Sequence, residues 1–466
     1  MKKHLRSLNI SGALAALAAA LALAAPHASL PARAADTSVS RSMVDFSFTQ
    51  AADQFYKHVG DQAILDGAVN GLRAIAKRFG DNPNRVAPVR PTGGEAADVA
   101  ALNHSLALAG KVYKNVPERE LAYGAIAGMM DALHDRWSVF LTPKEFRQLN
   151  EGLDGGNFPG IGVVIDIDPA SKALLVQQVL DGGPAAKAGL LPGDIIVMVD
   201  GKSTKGLTTE QDSAMIRGKA GTTVHLVVQR QGQSQPISFD IVRAVIHTPS
   251  VLGRLVNNDI GYIQVFVFGL TTGDELGATL SRLHKAGAKG YILDLRNNGG
   301  GYLNAAIDVS SKFIAEGPIV SIDSRTKPLT TFDAENQAIP PAPLAVLVNQ
   351  FTASASEITS GAIQESGAGV LIGTKTFGKG VVQTIYPLPD GSAIKITTAR
   401  YLTPKGHDIN DVGIEPDILV PNVPPSALGN LALDSQLKRA IGYVQDRIAE
   451  DLPASGPTSN SSGSSR

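Results

Sequence analysis

The last third of this 466-residue chain alternates strand-like and helix-like segments, and that alternation limits the fold more than any other feature. Residues 262–267, 290–295, 344–348 and 370–372 read as strands. Between them, 276–284, 302–313 and 356–363 carry apolar residues at helical spacing. Elements in this order build an α/β layer structure, so a core over residues 244–430 is expected. An amphipathic helix at 431–452 follows, and the Ser/Gly/Pro-rich tail 453–466 lacks the apolar content to pack.

The preceding segments have different periods. Residues 155–243 read as a compact β-rich module, with strand-like runs at 162–167, 173–179, 195–199, 224–228 and 237–241. Turns such as Asp181-Gly-Gly-Pro184 and Leu191-Pro-Gly-Asp194 separate them. Residues 36–150 read as helical and contain an internal repeat. Tyr56-Lys-His-Val59 and Gly67-Ala-Val-Asn-Gly71 recur as Tyr113-Lys-Asn-Val116 and Gly124-Ala-Ile-Ala-Gly128. The copies span 55–77 and 112–134, and two amphipathic helices resembling each other by chance is the competing reading. The second copy leads into the core through Trp137-Ser-Val-Phe-Leu-Thr-Pro143, with a short helix starting at Thr142.

The first 34 residues read as an export signal: Lys2, Lys3 and Arg6, an Ala/Leu run over 11–25, and Ala32-Arg-Ala34 as a cleavage pattern. An uncleaved N-terminal anchor is the alternative, and the only membrane contact the sequence suggests. Cleavage after Ala34 removes four basic residues and no acid, taking the formal charge from −1 to −5. With that charge and no basic block, nucleic acid is not an expected partner. Cysteine is absent, which excludes disulfides, metal thiolates and a thiol nucleophile. A periplasm or other cell-envelope compartment fits an exported chain of this kind, and neither cofactor nor metal is expected.

Two stretches carry the chemistry: Phe351-Thr-Ala-Ser-Ala-Ser-Glu357 and Gly378-Lys-Gly-Val-Val-Gln383. A serine nucleophile needs a base, and lysine serves only when its ammonium has been made acidic. A free lysine has a pKa of about 10.4, and desolvation can lower it by up to about 3–5 units. The neighbours of Lys379 are glycine, valine and phenylalanine rather than acids, which suits that demand. Gly373-Thr-Lys-Thr-Phe-Gly-Lys-Gly380 falls one residue short of a phosphate-binding loop. Gly380 stands where the Mg²⁺-binding hydroxyl is needed, and a strand-like run follows instead of a helix. None of His247, His284 or His407 sits in a nucleophile-elbow or zinc-protease context, so a histidine base has no support. Asp294-Leu-Arg-Asn-Asn-Gly-Gly-Gly301 ends a strand with three glycines whose N–H groups could hold a developing negative charge. As a lone motif it reads equally as a phosphate loop or a tight turn.

Taken together, Thr352–Glu357, Thr376-Phe-Gly-Lys-Gly380 with Gln383, Asp294–Gly301 and Val412-Gly-Ile-Glu-Pro-Asp417 resemble the C-terminal processing peptidases. The resemblance runs from about Tyr113 to Val420. It implies an α/β multidomain fold: an α/β protease core with an inserted β-rich PDZ domain and an N-terminal helical region. By position, Ser354 resembles the nucleophile, with Ser356 its competitor, Lys379 the general base and Gln383 the residue that orients the lysine. The oxyanion hole maps onto the N–H groups of Gly301 and Ala355, with Gly300 as the neighbouring candidate. Gly299 departs from the proline that many members carry there.

Gly160, Ile161, Gly162 and Val163 match the loop with which a PDZ domain takes a terminal carboxylate, and the helix at 208–217 would form the groove's other wall. The implied activity is that of a serine endopeptidase recognising protein C-terminal tails and cutting upstream. Protein substrates are therefore the expected partners, with an adaptor or a second copy of the chain as further candidates. A catalytically silent PDZ scaffold or chaperone in the cell envelope is the alternative function.

Overall fold

The computed structural model describes residues 32–450 except 92, 154–157, 169, 181, 247, 248, 425 and 426. Most of the expected export signal, the tail 453–466, Asp181 and His247 lie outside the described residues.

Helices α1 (Ala32–Gln54), α2 (Asp61–Arg78), α3 (Glu95–Val112) and α4 (Glu118–Ala132) gather around Phe48, Phe55, Leu65, Leu72, Ile126 and Met129. The sequence repeat acquires a physical meaning here. Gly67 and Gly71 of α2 face Gly128 and Gly124 of α4, so the two copies pack antiparallel against each other. A Cβ on Gly71 would lie 1.9 Å from the Gly124 carbonyl oxygen, and one on Gly128 would lie 2.1 Å from that of Gly67. Only hydrogen fits at this crossing, whatever glycine costs in helix propensity.

The β-rich module has its own core of Ile161, Leu174, Val176, Ile196, Leu226 and Ile241. Its strands Val163–Ile167, Leu174–Val179, Ile195–Val199, Thr223–Gln229 and Ile237–Val242 run antiparallel in that spatial order. Helix Thr209–Ile216 begins at a reciprocal cap, where the Thr208 N–H donates to Gln211 Oε1 (2.9 Å) and the Gln211 N–H donates back to Thr208 Oγ1 (3.4 Å).

The largest layer is a six-stranded sheet ordered Val251–Val256, Ile260–Val265, Gly290–Asp294, Leu344–Val348, Val370–Gly373, Ile418–Leu419. The first pair is antiparallel and the remainder are parallel. The strand Leu344–Val348 shows why its run is wholly apolar. Leu344, Val346 and Val348 join the core under helices Thr272–Lys285, Leu303–Ser311 and Ala355–Ser366. Ala345 and Leu347 face the other way, onto Leu437, Ala440 and Val444 of helix Ser435–Glu450. Both faces of the strand are covered.

A second, antiparallel sheet was only glimpsed in the sequence. Ala393–Leu402 pairs with Val381–Pro387, Pro318–Ser324 and Val139–Leu141, and Pro318–Ser324 pairs with Thr330–Asp333. Thr330–Asp333 and most of Pro318–Ser324 are half-buried or exposed, so they carry little apolar periodicity. The pairing Val139↔Lys395 joins distant parts of the chain that no local pattern connects. Leu388, Ile394 and Ile396 bury this sheet against the N-terminal helices.

Candidate active site

Adjacent parallel strands Gly290–Asp294 and Leu344–Val348 end side by side, and their loops lock together. The Asn297 N–H donates to Asn349 Oδ1 (3.0 Å), Asn349 Nδ2 donates to Asn297 Oδ1 (2.8 Å), and Thr352 Oγ1 donates to the Leu295 carbonyl (2.9 Å). The chain then bends at Ser354, with φ 58° and ψ −119°. A non-glycine residue held there stores of order ~1–3 kcal/mol and needs a surrounding structure that over-determines it. Helix Ala355–Ser366 starts at the next residue, which leaves Ser354 at its N-terminus.

The glycine turn packs directly on that bend. Gly300 has φ 97°, and a Cβ there would lie 2.7 Å from the Ala353 carbonyl oxygen and 2.8 Å from the Ala355 nitrogen. Asn298 holds the turn: its carbonyl accepts from the Ala353 N–H (3.0 Å) and from Ser356 Oγ (2.9 Å), and its Oδ1 accepts from the Gly300 N–H (2.9 Å). Ser356, the competing serine, is fully buried and donates its hydroxyl to that carbonyl. The N–H groups of Gly301 and Ala355 meet no acceptor among the described residues. Gly299 has open space where a Cβ would point, so its departure from proline carries no steric consequence.

Lys379 arrives from the loop between Val370–Gly373 and Val381–Pro387, and one carboxylate ties that loop to the serine bend. Glu357 Oε2 accepts from the N–H groups of Ser354 (2.9 Å) and Lys379 (2.9 Å). Its Oε1 accepts from Thr376 Oγ1 (2.6 Å) and the Gly378 N–H (2.7 Å). The side chain is completely buried, and burial raises its pKa against those hydrogen bonds. Tyr401 adds a second tie, its hydroxyl 2.6 Å from the Lys379 carbonyl oxygen and 3.1 Å from that of Ser354.

The Lys379 ammonium lies 4.4 Å from the centre of the Trp137 ring. Burial is the main force that pushes its pKa down to about 8, with repulsion from Lys395 next; Glu357 and Asp135 pull the other way. The sequence neighbours of the lysine contain no acid, but the fold brings Glu357 beside it. That carboxylate is engaged by four donors, and the lysine remains depressed.

Ser354, Lys379, Gln383, Gly301, Ala355 and Lys395 line one cavity of about 620 Å³. Gln383 donates from Nε2 to the Val381 carbonyl (3.3 Å) and has no hydrogen bond to Lys379 among the described residues. Glu357, Tyr401, Trp137 and Lys395 had no role in the sequence reading. Glu357 carried a usable signal, since Ser354-x-x-Glu357 is the pattern of a helix-capping box. The other three reach the site from distant strands and loops, with no local mark.

The Gly160–Val163 segment lies in the β-rich module, away from this cavity. Gly160 ends the strand Phe158–Gly160, Gly162 has φ 82°, and the N–H groups of Ile161 and Gly162 meet no acceptor among the described residues. The Ile161 side chain is 1% exposed and belongs to the module's core. Helix Pro143–Leu153 reaches both places: Leu149 and Leu153 line the cavity, and Glu151 pairs with Arg217 (3.3 Å) at the end of helix Thr209–Ile216.

The sequence profile of peptidase family S41 matches residues 259–420, and that of the PDZ domain matches 175–230. The chain is 38% identical over 336 residues to the carboxyl-terminal-processing protease of Picosynechococcus, spanning 72% of this chain and 80% of that one. It is 38% identical over 313 residues to the carboxyl-terminal-processing protease of Synechocystis, spanning 66% and 73%. The solved structure of the photosystem II D1 C-terminal processing protease is 28% identical, covering 82% of this chain and 93% of its own, with a TM-score of 0.44.

Proposed function

Because the chain belongs to the carboxyl-terminal-processing serine proteases of peptidase family S41 and carries a PDZ domain, we propose that it hydrolyses peptide bonds with Ser354 as nucleophile and Lys379 as general base. The observation that carries this reading is the joining of the Ser354 and Lys379 backbones on one buried carboxylate, at a cavity where burial has brought the lysine's pKa to about 8. With a pKa of about 10.5, roughly one lysine in 3,000 is neutral at pH 7; with a pKa of about 8, roughly one in ten is.

Neutral Lys379 takes the Ser354 proton as the hydroxyl oxygen attacks the peptide carbonyl. The oxyanion forms against the unengaged N–H groups of Gly301 and Ala355, at a helix N-terminus that favours negative charge. Lys379 then gives its proton to the leaving amine; it next takes a proton from the water that attacks the acyl-enzyme and returns it to the Ser354 oxygen as the ester bond breaks. Gln383 lines the same cavity and is assigned the orienting role on the strength of the motif alone. The free N–H groups at Ile161 and Gly162 support capture of a substrate's terminal carboxylate, with the adjoining strand edge taking its last residues.

Mass spectrometry of a protein with an apolar C-terminal tail tests this. Ser354→Ala and Lys379→Ala are each expected to lose cleavage by 10³-fold or more, on the order of what a nucleophile and its base supply. Amidating the substrate's terminal carboxylate is expected to weaken cleavage without changing the cut site. Hydrolysis that survives both substitutions would make the dyad reading wrong, and a wild-type chain that cleaves nothing would restore the silent scaffold. Ile161→Asp would put a charge into the module's core, so the substrate end is the part to alter.

Export into the cell envelope is the second part of the proposal, resting on Lys2, Lys3, Arg6 and the run 11–25. N-terminal sequencing of the protein from the envelope fraction is expected to begin at Ala35, and a chain beginning at Met1 would refute cleavage. Among the described residues no helix is long and apolar enough to cross a membrane.

A further inference from the structure

Lys395 lies on the strand Ala393–Leu402, flanked by Ile394 and Ile396, which are fully buried against the N-terminal helices. Side chains alternate along a strand, so Lys395 turns to the opposite face, where it lines the same cavity as Ser354 and Lys379. Among the described residues its ammonium has neither a hydrogen bond nor an ion pair, and only Asp135 attracts its charge. Asp135 Oδ2 already accepts from Ser138 Oγ (2.6 Å) and Thr397 Oγ1 (2.6 Å).

The charged groups that face Lys379 are Lys395, Glu357, Asp135 and Arg136. Glu357 is held by four donors, and Arg136 is turned outward to Asp411 (3.3 Å). Among the described residues that line it, the cavity presents two ammonium groups and no carboxylate. A lone positive charge with no hydrogen-bonded partner is costly to keep in a half-buried cleft.

We propose that Lys395 tunes the general base: its charge, repelling that of Lys379 across the cavity, helps keep Lys379 neutral near physiological pH. Lys395 is a positioning residue in electrostatic terms and touches no reacting atom. The inference rests on the dyad reading above. Repulsion between two like charges in one pocket raises the cost of protonating either, and a neighbouring cation is an established way to activate a lysine. Burial remains the larger cause of the Lys379 shift, with Lys395 second. Burial also lowers the Lys395 pKa, against the pull of Asp135.

The test is the pH dependence of kcat/KM of the full-length enzyme on an internally quenched peptide without charged side chains. The pH dependence of Ser354 inactivation by a sulfonyl fluoride reads the same base with no peptide present. Lys395→Met and Lys395→Gln are both expected to move the acid limb to higher pH by about one unit, because protonating Lys379 becomes easier. Lys395→Arg keeps the charge and is expected to leave the limb near its wild-type place. A limb that stays put, or moves down, in the uncharged variants overturns the proposal, however much the rate falls. Lys379→Ala is the control that separates the two readings. If it retains activity the dyad itself fails; if it is inactive while the limb ignores Lys395, only the tuning role fails.

Discussion

Two clusters of buried charge lie at the ends of the same parallel strands, and they are built on opposite plans. In one, the Arg296 side chain is 1% exposed and donates to Asp294 (2.9 and 2.6 Å), Asp434 (2.9 and 2.8 Å) and Gln436 (2.9 Å). Tyr262 completes the set by donating to Asp294 Oδ2 (2.7 Å). Burial works against the Arg296 charge, but its two carboxylates outweigh that and raise its pKa above the ordinary arginine range. In the other, Lys379 and Lys395 share a cavity, Glu357 is occupied by backbone and hydroxyl donors, and the lysine pKa falls to about 8. The first cluster pairs every charge and fastens the Asp294–Gly301 turn to the helix Ser435–Glu450. In the second, neither ammonium has a hydrogen bond or ion pair among the described residues, and burial lowers the pKa of both. Pairing holds a buried charge in its ionised form; leaving a cation unpaired favours its neutral form.

The contrast can be broken from the scaffold side first. Arg296→Met strands two buried carboxylates and is expected to cost about 3–5 kcal/mol of stability. Urea unfolding checks it, and a variant as stable as wild type would show that the matched cluster is dispensable. Glu357→Gln should act more mildly on stability and more on chemistry. An amide cannot accept from donors converging on both of its ends, so about 1–3 kcal/mol of hydrogen bonding is lost around the Ser354 bend. We expect kcat/KM to fall by roughly 10–100-fold on that basis. The pH profile sharpens the reading. Glu357 pulls the Lys379 pKa upward, so removing its charge lowers that pKa and moves the acid limb to lower pH. Lys395→Met moves it the other way, and two substitutions at one cavity with opposite signs leave little room for a merely structural account.

Much of this was legible in the chain. The apolar run Leu344–Val348 read as a strand, and the five strand-like runs over 162–241 match strands of the β-rich module to within a residue or two. Ser354 and Lys379 stood out as candidates because each sits in a long motif, and the structure places both at one cavity. The antiparallel sheet was hardly legible, since Ala393–Leu402 draws partners from 139–141, 318–324 and 381–387. The glycine repeat was visible as a repeat, but its use as a helix crossing was not, because contact between Gly71 and Gly124 is a fact about space.

The sequence by itself determined the chemical inventory: a hydroxyl at a bend, an amine in a glycine loop, a carboxylate three residues past the serine and no thiol. Only the tertiary structure decided what that inventory can do. A lysine's pKa depends on the dielectric around it and on the charges across the cavity, and both are set by segments distant in the chain. Trp137, Glu357 and Lys395 surround Lys379 from three separate elements, and none of them adjoins it in sequence.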